Sequence, residues 1–495
     1  MAMLKNYLLM LMLGTSVLAL PACNDDDDPV PPLPSGEEHP YSDDIVTNGV
    51  ILYGSIKGDR TFSADSVYYL DGYVFVESGE LTIEPGTVIM GFEQPSNAQN
   101  PQWKDSNGNK SEGAASSLII TREATINAAG TAENPIIFTS AEDQEALGGA
   151  LNLSPADSKL WAGLIILGKA PVYSNGDTET QVEGIPDGED RALFGGNDEN
   201  HNSGVLTYVS IRFTGADIGD GDEIQGLTLG GVGRGTTIQN IDIFVSGDDG
   251  IEIFGGTVNI KNLSVAFAED DAFDFDLGWS GFGQYLFGLQ RADDGDHGGE
   301  WDGASPEDAP LYTTARLYNM TLIGQGSSGG RGENLPAILI REGGALSIYN
   351  SIITDFNGKG IEVQDSGNPE SSYNRIVNEG MAELAGNTWW TLNASSIAEM
   401  VVPTSSDDFN PGDPDASGLI AYLEADNTFA DPMLTGISRE NESKGLDPRP
   451  ADSGFPVSVS EPSVENTPYA GAFEPGAQTW LAGWSALSRF GILSE

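Results

Sequence analysis

Asn240-Ile-Asp-Ile-Phe-Val-Ser-Gly-Asp248-Asp249-Gly-Ile251-Glu252-Ile253-Phe254 is followed, after Gly255-Gly256 and a short spacer, by a near copy. The copy reads Asn262-Leu-Ser-Val-Ala-Phe-Ala-Glu-Asp270-Asp271-Ala-Phe273-Asp274-Phe275-Asp276. Asn240 to Asn262, Asp248 to Asp270 and Glu252 to Asp274 are all offsets of 22 residues. A fixed short period with apolar alternation inside it marks stacked, near-identical units. In each copy an alternating strand (Ile241, Ile243, Val245; Leu263, Val265, Phe267) precedes a turn and a second strand (Ile251, Ile253; Phe273, Phe275). That length suits one coil of a parallel β-helix, in which residues one period apart lie about 4.8 Å from each other on adjacent rungs.

The same register extends outward from this stretch. Asn350 to Glu362 is 12 residues, as are Asn240 to Glu252 and Asn262 to Asp274, and Asn319 falls at the same ladder position. These asparagines are expected to be structural, their stacked amides bonding neighbouring rungs at a turn. Upstream, Leu81 to Gly91 reads as strand, Pro-Gly turn and strand. Leu118 to Gly130 repeats the idea, and Trp161 to Gly168 is an unbroken apolar run of a buried strand. Gln94 to Gly113, Ser174 to Asn202 and Gly278 to Pro310 read as polar loops thrown out of the coil. The period fades beyond residue 380, and Gln478 to Phe490 carries Trp480, Trp484, Leu487 and Phe490 at helical spacing, the signature of a cap over the open end of a solenoid. The expected architecture is all-β: a right-handed parallel β-helix solenoid over residues 46–380, with polar loop insertions and a C-terminal extension with helical cap over 381–495.

The N-terminus has its own logic. Lys5, the apolar run from Tyr7 to Leu20 and Leu20-Pro21-Ala22-Cys23 form an export signal too short to span a bilayer. Cys23 is the chain's one cysteine, so a disulfide framework and a thiolate metal site are both excluded. Leu20-Pro21-Ala22-Cys23 resembles a bacterial lipobox. That resemblance implies cleavage after residue 22 and lipidation of Cys23. Asn24, in place of the Asp associated with inner-membrane retention, points to the outer membrane, and Asp25 to Asp28 resembles the acidic tract that sends some lipoproteins to its cell-surface face. Residues 23–45 then form an acidic, Pro-rich tether with nothing to bury.

Formal net charge is −53, from 75 acidic against 22 basic residues. Nucleic acid is excluded as a partner, because phosphate neutralisation needs clustered Lys and Arg. Alternation points the apolar residues of the two copies inward and the acids outward. Asp248, Asp249, Glu252, Asp270, Asp271, Asp274 and Asp276 therefore share one strip. Two carboxylates about 5 Å apart repel by about 1 kcal/mol in water and several-fold more at lower effective dielectric. Three readings stay open: hard oxygen ligands for Ca²⁺, a solvated charged surface, or a catalytic carboxylate pair drawn from Asp248, Asp249, Asp270 and Asp271. Downstream, Trp279, Tyr285, Arg291, His297, Glu300, Trp301 and Asp302 cluster within 24 residues. Aromatic rings beside acids suit a sugar, by stacking and hydroxyl hydrogen bonds. The same cluster also suits a folded loop with its tryptophans turned inward.

The coil pattern over about residues 65–370 resembles the pectin-lyase-like right-handed parallel β-helix superfamily. Ser246-Gly-Asp248-Asp249-Gly-Ile251 is similar to the Gly-Asp-Asp motif of polygalacturonases, which implies acid and base roles for Asp248 and Asp249 in an inverting hydrolysis. The other motifs of that group (Asn-Thr-Asp, Gly-His-Gly, Arg-Ile-Lys) are missing from this chain. Trp161 to Pro171, Gly226 to Gly235, Asp249-Gly-Ile-Glu252, Gly-Ala-Phe473 and Gly-Trp484 resemble a family of surface lipoproteins common in Bacteroidota and marine Gram-negative bacteria. The expectation is a surface lipoprotein that binds Ca²⁺ and recognises an extracellular polysaccharide or an envelope protein. The alternatives are a polysaccharide hydrolase or lyase, and a passive adhesin.

Overall fold

The computed structural model describes residues 49–95, 115–183, 185, 188–219, 222–327, 335–402, 416–451 and 464–495. The export signal, Cys23 and the tether lie outside these residues, as does most of the polar loop from Gln94 to Gly113. Among the described residues, no helix is long and apolar enough to cross a membrane.

The strands stack in parallel along three ladders. Sheet I joins, rung by rung, residues 241–246 to 263–268 and on to 286–289. Sheet II joins Ile251–Phe254, Phe273–Asp276 and Gly299–Asp302. Sheet III joins 237–239, 259–261 and 282–284. The Ile241–Leu263, Ile251–Phe273 and Thr237–Asn259 pairings reproduce the 22-residue offset read from the sequence. All three ladders continue above and below this pair of coils. Sheet I runs from Gly49 to Phe429, well past the boundary at 380 where the period fades.

Strands such as Thr237–Ser246 and Asn259–Ala268 serve two sheets because they bend at one left-handed residue. Tyr208, Asn240, Asn262, Tyr285, Asn319 and Asn350 occupy this corner at φ between 49° and 60°. Asparagine enters the left-handed region more readily than most residues, which explains its recurrence. The amides of Asn319 and Asn350 then take on a second task. Each Nδ2 donates to Thr467 Oγ1 and Tyr469 O, at 2.7–3.2 Å, so they fasten the C-terminal segment as well as turning the corner.

Inward residues form one continuous core. Ile251 and Ile253 lie under Phe273 and Phe275, and Phe275 stacks on Trp301 at 5.8 Å between centroids. Trp279 packs on the same ring at 4.4 Å. The stretch Gly278 to Pro310 is therefore a further coil, with strands Phe282–Leu289 and Gly299–Asp302, rather than the loop expected from its polarity.

The closure of the coil end also differs from expectation. Leu419 and Leu423 of the helix Ser417–Asp426, with Ile397 and Met400, complete the core. The segment 478–490 holds only a four-residue helix, Ala486–Arg489, and lies along the flank of sheet I. There Phe473, Trp484 and Phe490 bury the outward rings Phe213, Phe244 and Phe287. Helical spacing in 478–490 reflects packing against this flat flank instead of a long helix. Ala486 N donates to Asp242 Oδ2, and Arg489 and the buried Arg212 both pair with Glu145, which ties the segment down.

Candidate functional site

One row on the outer face of sheet II runs through nine rungs: Phe75, Ile119, Ile165, Thr228, Glu252, Asp274, Glu300, Leu339 and Glu362. Its first part is apolar and covered. The excursion at 174–202 folds back as a hairpin, Glu179–Gln181 against Leu193–Gly195, and with Val172 just before it lays Val182 and Phe194 into one apolar cluster with Ile119 and Ile165. Gly230 permits this approach, because a Cβ there would meet the Phe194 ring at 2.7 Å. Thr228 marks the border. Its Oγ1 donates to Gln225 Oε1 at 2.7 Å, and Gln225 Nε2 donates to Glu183 Oε1 at 2.6 Å.

Beyond the border the row is acidic. All seven acids singled out in the two repeats lie here, but they do not fan into solvent. Asp249, Glu252 and Asp271 are 5–7% exposed, and Asp248, Asp270, Asp274 and Asp276 are partly buried. Within each Asp-Asp pair the two members differ. The second spends an oxygen on the next rung's backbone: Asp271 N donates to Asp249 Oδ1 at 2.9 Å, and His297 N donates to Asp271 Oδ1 at 2.6 Å. This Asp249–Asp271–His297 stack is a turn device that locks the rung spacing, since it satisfies backbone N–H groups that would otherwise be orphaned.

Glu300 and Asp302 extend the row by one rung and are neutralised there. Arg341 donates to Glu300, and bidentately to Asp302 at 2.6 and 3.0 Å. His297 Nδ1 sits 3.1 Å from Asp271 Oδ1, with Asp296 and Glu300 within 3.8 Å. Burial works against its proton, but the hydrogen bond and charge of Asp271 prevail and push the imidazole up to about 9.

Among the described residues, no cation pairs directly with Asp249, Glu252 or Asp274. One carboxylate oxygen from each lies within 4.8 Å of the others. Among the described residues, Glu252 Oε2 and Asp274 Oδ1 are buried without a hydrogen-bond partner. Burial first, and then the neighbouring carboxylates, push all three groups well above the usual carboxylate range: Asp274 acts on Asp249 and Glu252, and Asp302 on Asp274. Asp276 and Glu300 are raised to about 7, again by burial and then by Asp302 and Asp271 respectively. Uncompensated buried oxygens are costly. An all-oxygen set without thiol or imidazole is a fit for a hard divalent cation. Asp248, Asp249 and Asp270 make a second such trio at the turn, while Asp271, Asp296 and His297 make a third cluster that includes an imidazole.

The model of the pectate-lyase-like β-helix domain matches residues 54–403, more than half of the chain. This chain belongs to that family. The match supports the right-handed hand of the coil and a polysaccharide-related role. No curated protein and no solved structure matches the chain.

In this member of the family, the remaining residues expected to line a ligand wall scatter. Trp279 and Trp301 are fully buried inside the coil, and their indole N–H groups donate to Val258 O and Phe273 O. They are core residues and carry no ligand, because alternation along Phe273–Asp276 and Gly299–Asp302 turns every aromatic inward. Tyr285 is a corner residue of the sheet III–I edge, where its hydroxyl donates to Glu465 Oε2. Arg291 is engaged by Glu269 and Asp293. Of that cluster only His297, Glu300 and Asp302 join the acidic row. Arg341 was missed: it enters from a strand 39 residues beyond Asp302, an offset that the 22-residue period does not reach.

Proposed function

We propose that this β-helix binds Ca²⁺ on the acidic row of sheet II and uses the bound cation to recognise an extracellular polysaccharide. One observation carries the reading: Glu252 Oε2 and Asp274 Oδ1, buried without partners, share a small volume with Asp249. The cation removes their mutual repulsion, and its remaining coordination positions are open to sugar hydroxyls or carboxylates. Asp248 and Asp270 lie at the rim of the same site. Lipidation of Cys23 would display the coil on the outer face of the outer membrane, where such polymers are met.

The test is isothermal titration of Ca²⁺ into the metal-stripped protein, wild type against Glu252→Gln/Asp274→Asn. These two positions are chosen because Asp249 and Asp271 also hold backbone N–H groups, so their removal would confound binding with folding. Saturable binding that the double variant loses supports the reading, and polygalacturonate and alginate then serve as probes with and without Ca²⁺. Absence of a binding heat in the wild type overturns it. A second reading, acid–base hydrolysis or lyase chemistry, is favoured by Asp276 and Glu300, both raised to about 7, where general acids work. New reducing ends or unsaturated uronate from the same polymers would establish that reading.

A further inference from the structure

Across the coil from sheet II, the edge between sheets III and I carries a cleft that the acidic row does not touch. Gln239, Lys261, Asn262 and Tyr285 from three successive coils form its floor, and the C-terminal segment from Glu465 to Trp480 forms its wall. Its volume is about 310 Å³, the lower end of the range for small-molecule sites.

The lining is of a different kind from the rest of this acidic surface. Lys261 Nζ is 2.6 Å from Glu465 Oε1, and the Tyr285 hydroxyl donates to Glu465 Oε2 at 3.0 Å, so the lining's lysine is matched by an anion, with Glu474 a further carboxylate at the exposed rim. Gln239, Asn262 and Gln478 add amides that both donate and accept. Half-buried Trp480 stacks on Phe473 at 5.6 Å and 14°, and its Nε1 donates to Ala472 O, which holds the indole rigidly at the cleft. Thr479, 6% exposed, also lines the cleft, and its Oγ1 has no hydrogen-bond partner among the described residues. An unpartnered buried hydroxyl is unusual and calls for an external partner.

We infer that this cleft is a second binding site, for one or two neutral sugar rings. A fixed aromatic plane beside amides and a free hydroxyl suits the apolar face and the hydroxyl rim of a pyranose. With Lys261 paired to Glu465 and the exposed Glu474 beside them, the lining keeps no positive charge to select an anion. The site needs no metal and stands independently of the acidic row.

The experiment is saturation-transfer NMR and tryptophan fluorescence on the whole protein in EDTA, with cellobiose, mannobiose and xylobiose as neutral probes and digalacturonate as the charged control. At least one neutral disaccharide should bind and perturb the fluorescence. Gln478→Ala, a change at an exposed side chain, should weaken it about tenfold, the loss of one good hydrogen bond. Trp480→Ala should abolish it, and Glu252→Gln/Asp274→Asn should leave it unchanged. Unaltered melting temperature in Gln478→Ala separates lost contacts from lost folding. The inference is overturned if no neutral probe binds, if digalacturonate binds better, or if Gln478→Ala binds like wild type. None of these results bears on Ca²⁺ at sheet II.

Discussion

The outer row of sheet II passes through two regions that share one backbone and differ only in what alternate residues carry. Over Phe75, Ile119 and Ile165 the outward side chains are apolar, and a hairpin seals them. Over Glu252, Asp274 and Glu300 they are acidic, and the same inward stacking of Ile251, Phe273 and Trp301 continues underneath. The ladder hydrogen bonds do not distinguish the two regions. Inward residues maintain the coil, and outward residues decide whether a rung is buried by the chain's own excursion or left for a ligand.

The largest effect is expected where the covered half is opened. Phe194 is 1% exposed and lies 5.9 Å from Phe254 between centroids. Phe194→Ala should cost about 3–5 kcal/mol, the usual range for a buried phenylalanine, measured by denaturant unfolding. Ca²⁺ affinity should stay unchanged. A loss of Ca²⁺ binding in this variant would show that the two halves are one site, and the comparison would fail.

The acidic half should respond in the opposite sense. Without metal, Glu252→Gln/Asp274→Asn removes buried, mutually repelling carboxyls and should stabilise the protein by about 1–3 kcal/mol near neutral pH. Ca²⁺ at a hundredfold excess over its Kd should stabilise the wild type by about 2.7 kcal/mol and the variant not at all. Thermal melts with and without Ca²⁺ read both quantities. Equal Ca²⁺ shifts in the two proteins would move the cation elsewhere, to the trio Asp248, Asp249 and Asp270 at the turn.

The pH dependence of the metal-free protein sharpens the contrast further. Asp276 and Glu300 have folded-state values near 7, above their ordinary values of 3.8 and 4.5. Their contribution to stability is fully present below about pH 4 and is lost as pH rises to about 7. His297, raised to about 9 from 6.5, contributes below 6.5 and is lost as pH rises through 9. Metal-free stability should therefore fall in two steps, the first on the order of 1–2 kcal/mol once partial exposure is allowed for. His297→Asn should remove the upper step and, by taking away a charge that favours ionised Glu300, move the lower step to higher pH. Ca²⁺ on Asp249, Glu252 and Asp274 should shrink the lower one, because a dication nearby favours the ionised forms of Asp276 and Glu300. A flat profile between pH 4 and 9 would mean that the row is fully solvated.

Much of this was legible in the residues. The 22-residue offset places Glu252 beside Asp274 and Asn240 beside Asn262, because an uninterrupted coil turns sequence spacing directly into rung spacing. The inward turn of Ile251 and Phe273 follows from alternation alone. What lay hidden depends on segments of irregular length. Trp301 is as apolar as any core residue, but the glycines and acids around it gave the stretch a loop's composition. Arg341 meets Asp302 across an insertion, and the hairpin at Phe194 meets Phe254 after 60 residues. The flank held by Asp242 and Ala486 spans 244 residues, and no local pattern encodes such a distance. The burial of the acids was equally out of reach, because it depends on what neighbouring turns and loops leave uncovered.

The border residue offers the finest test of the comparison. Thr228 is fully buried between Ile165 on one side and Glu252 on the other. Its Oγ1 donates to Gln225 Oε1, whose amide nitrogen is bound to Glu183. Thr228→Val keeps the shape and removes this one donor, so Gln225 Oε1 loses a partner and stability should fall by about 1 kcal/mol. If Thr228 belongs to the covered half, that is the whole effect, and the Ca²⁺ isotherm is unchanged. If it belongs to the acidic half, Gln225 and Glu183 are released beside Glu252, and the added freedom of a charge that now raises the Glu252 carboxyl shifts Ca²⁺ affinity. The structure favours the first outcome, because the Thr228 hydroxyl donates to Gln225, which is held in turn by Glu183 of the covering excursion, and donates nothing to Glu252.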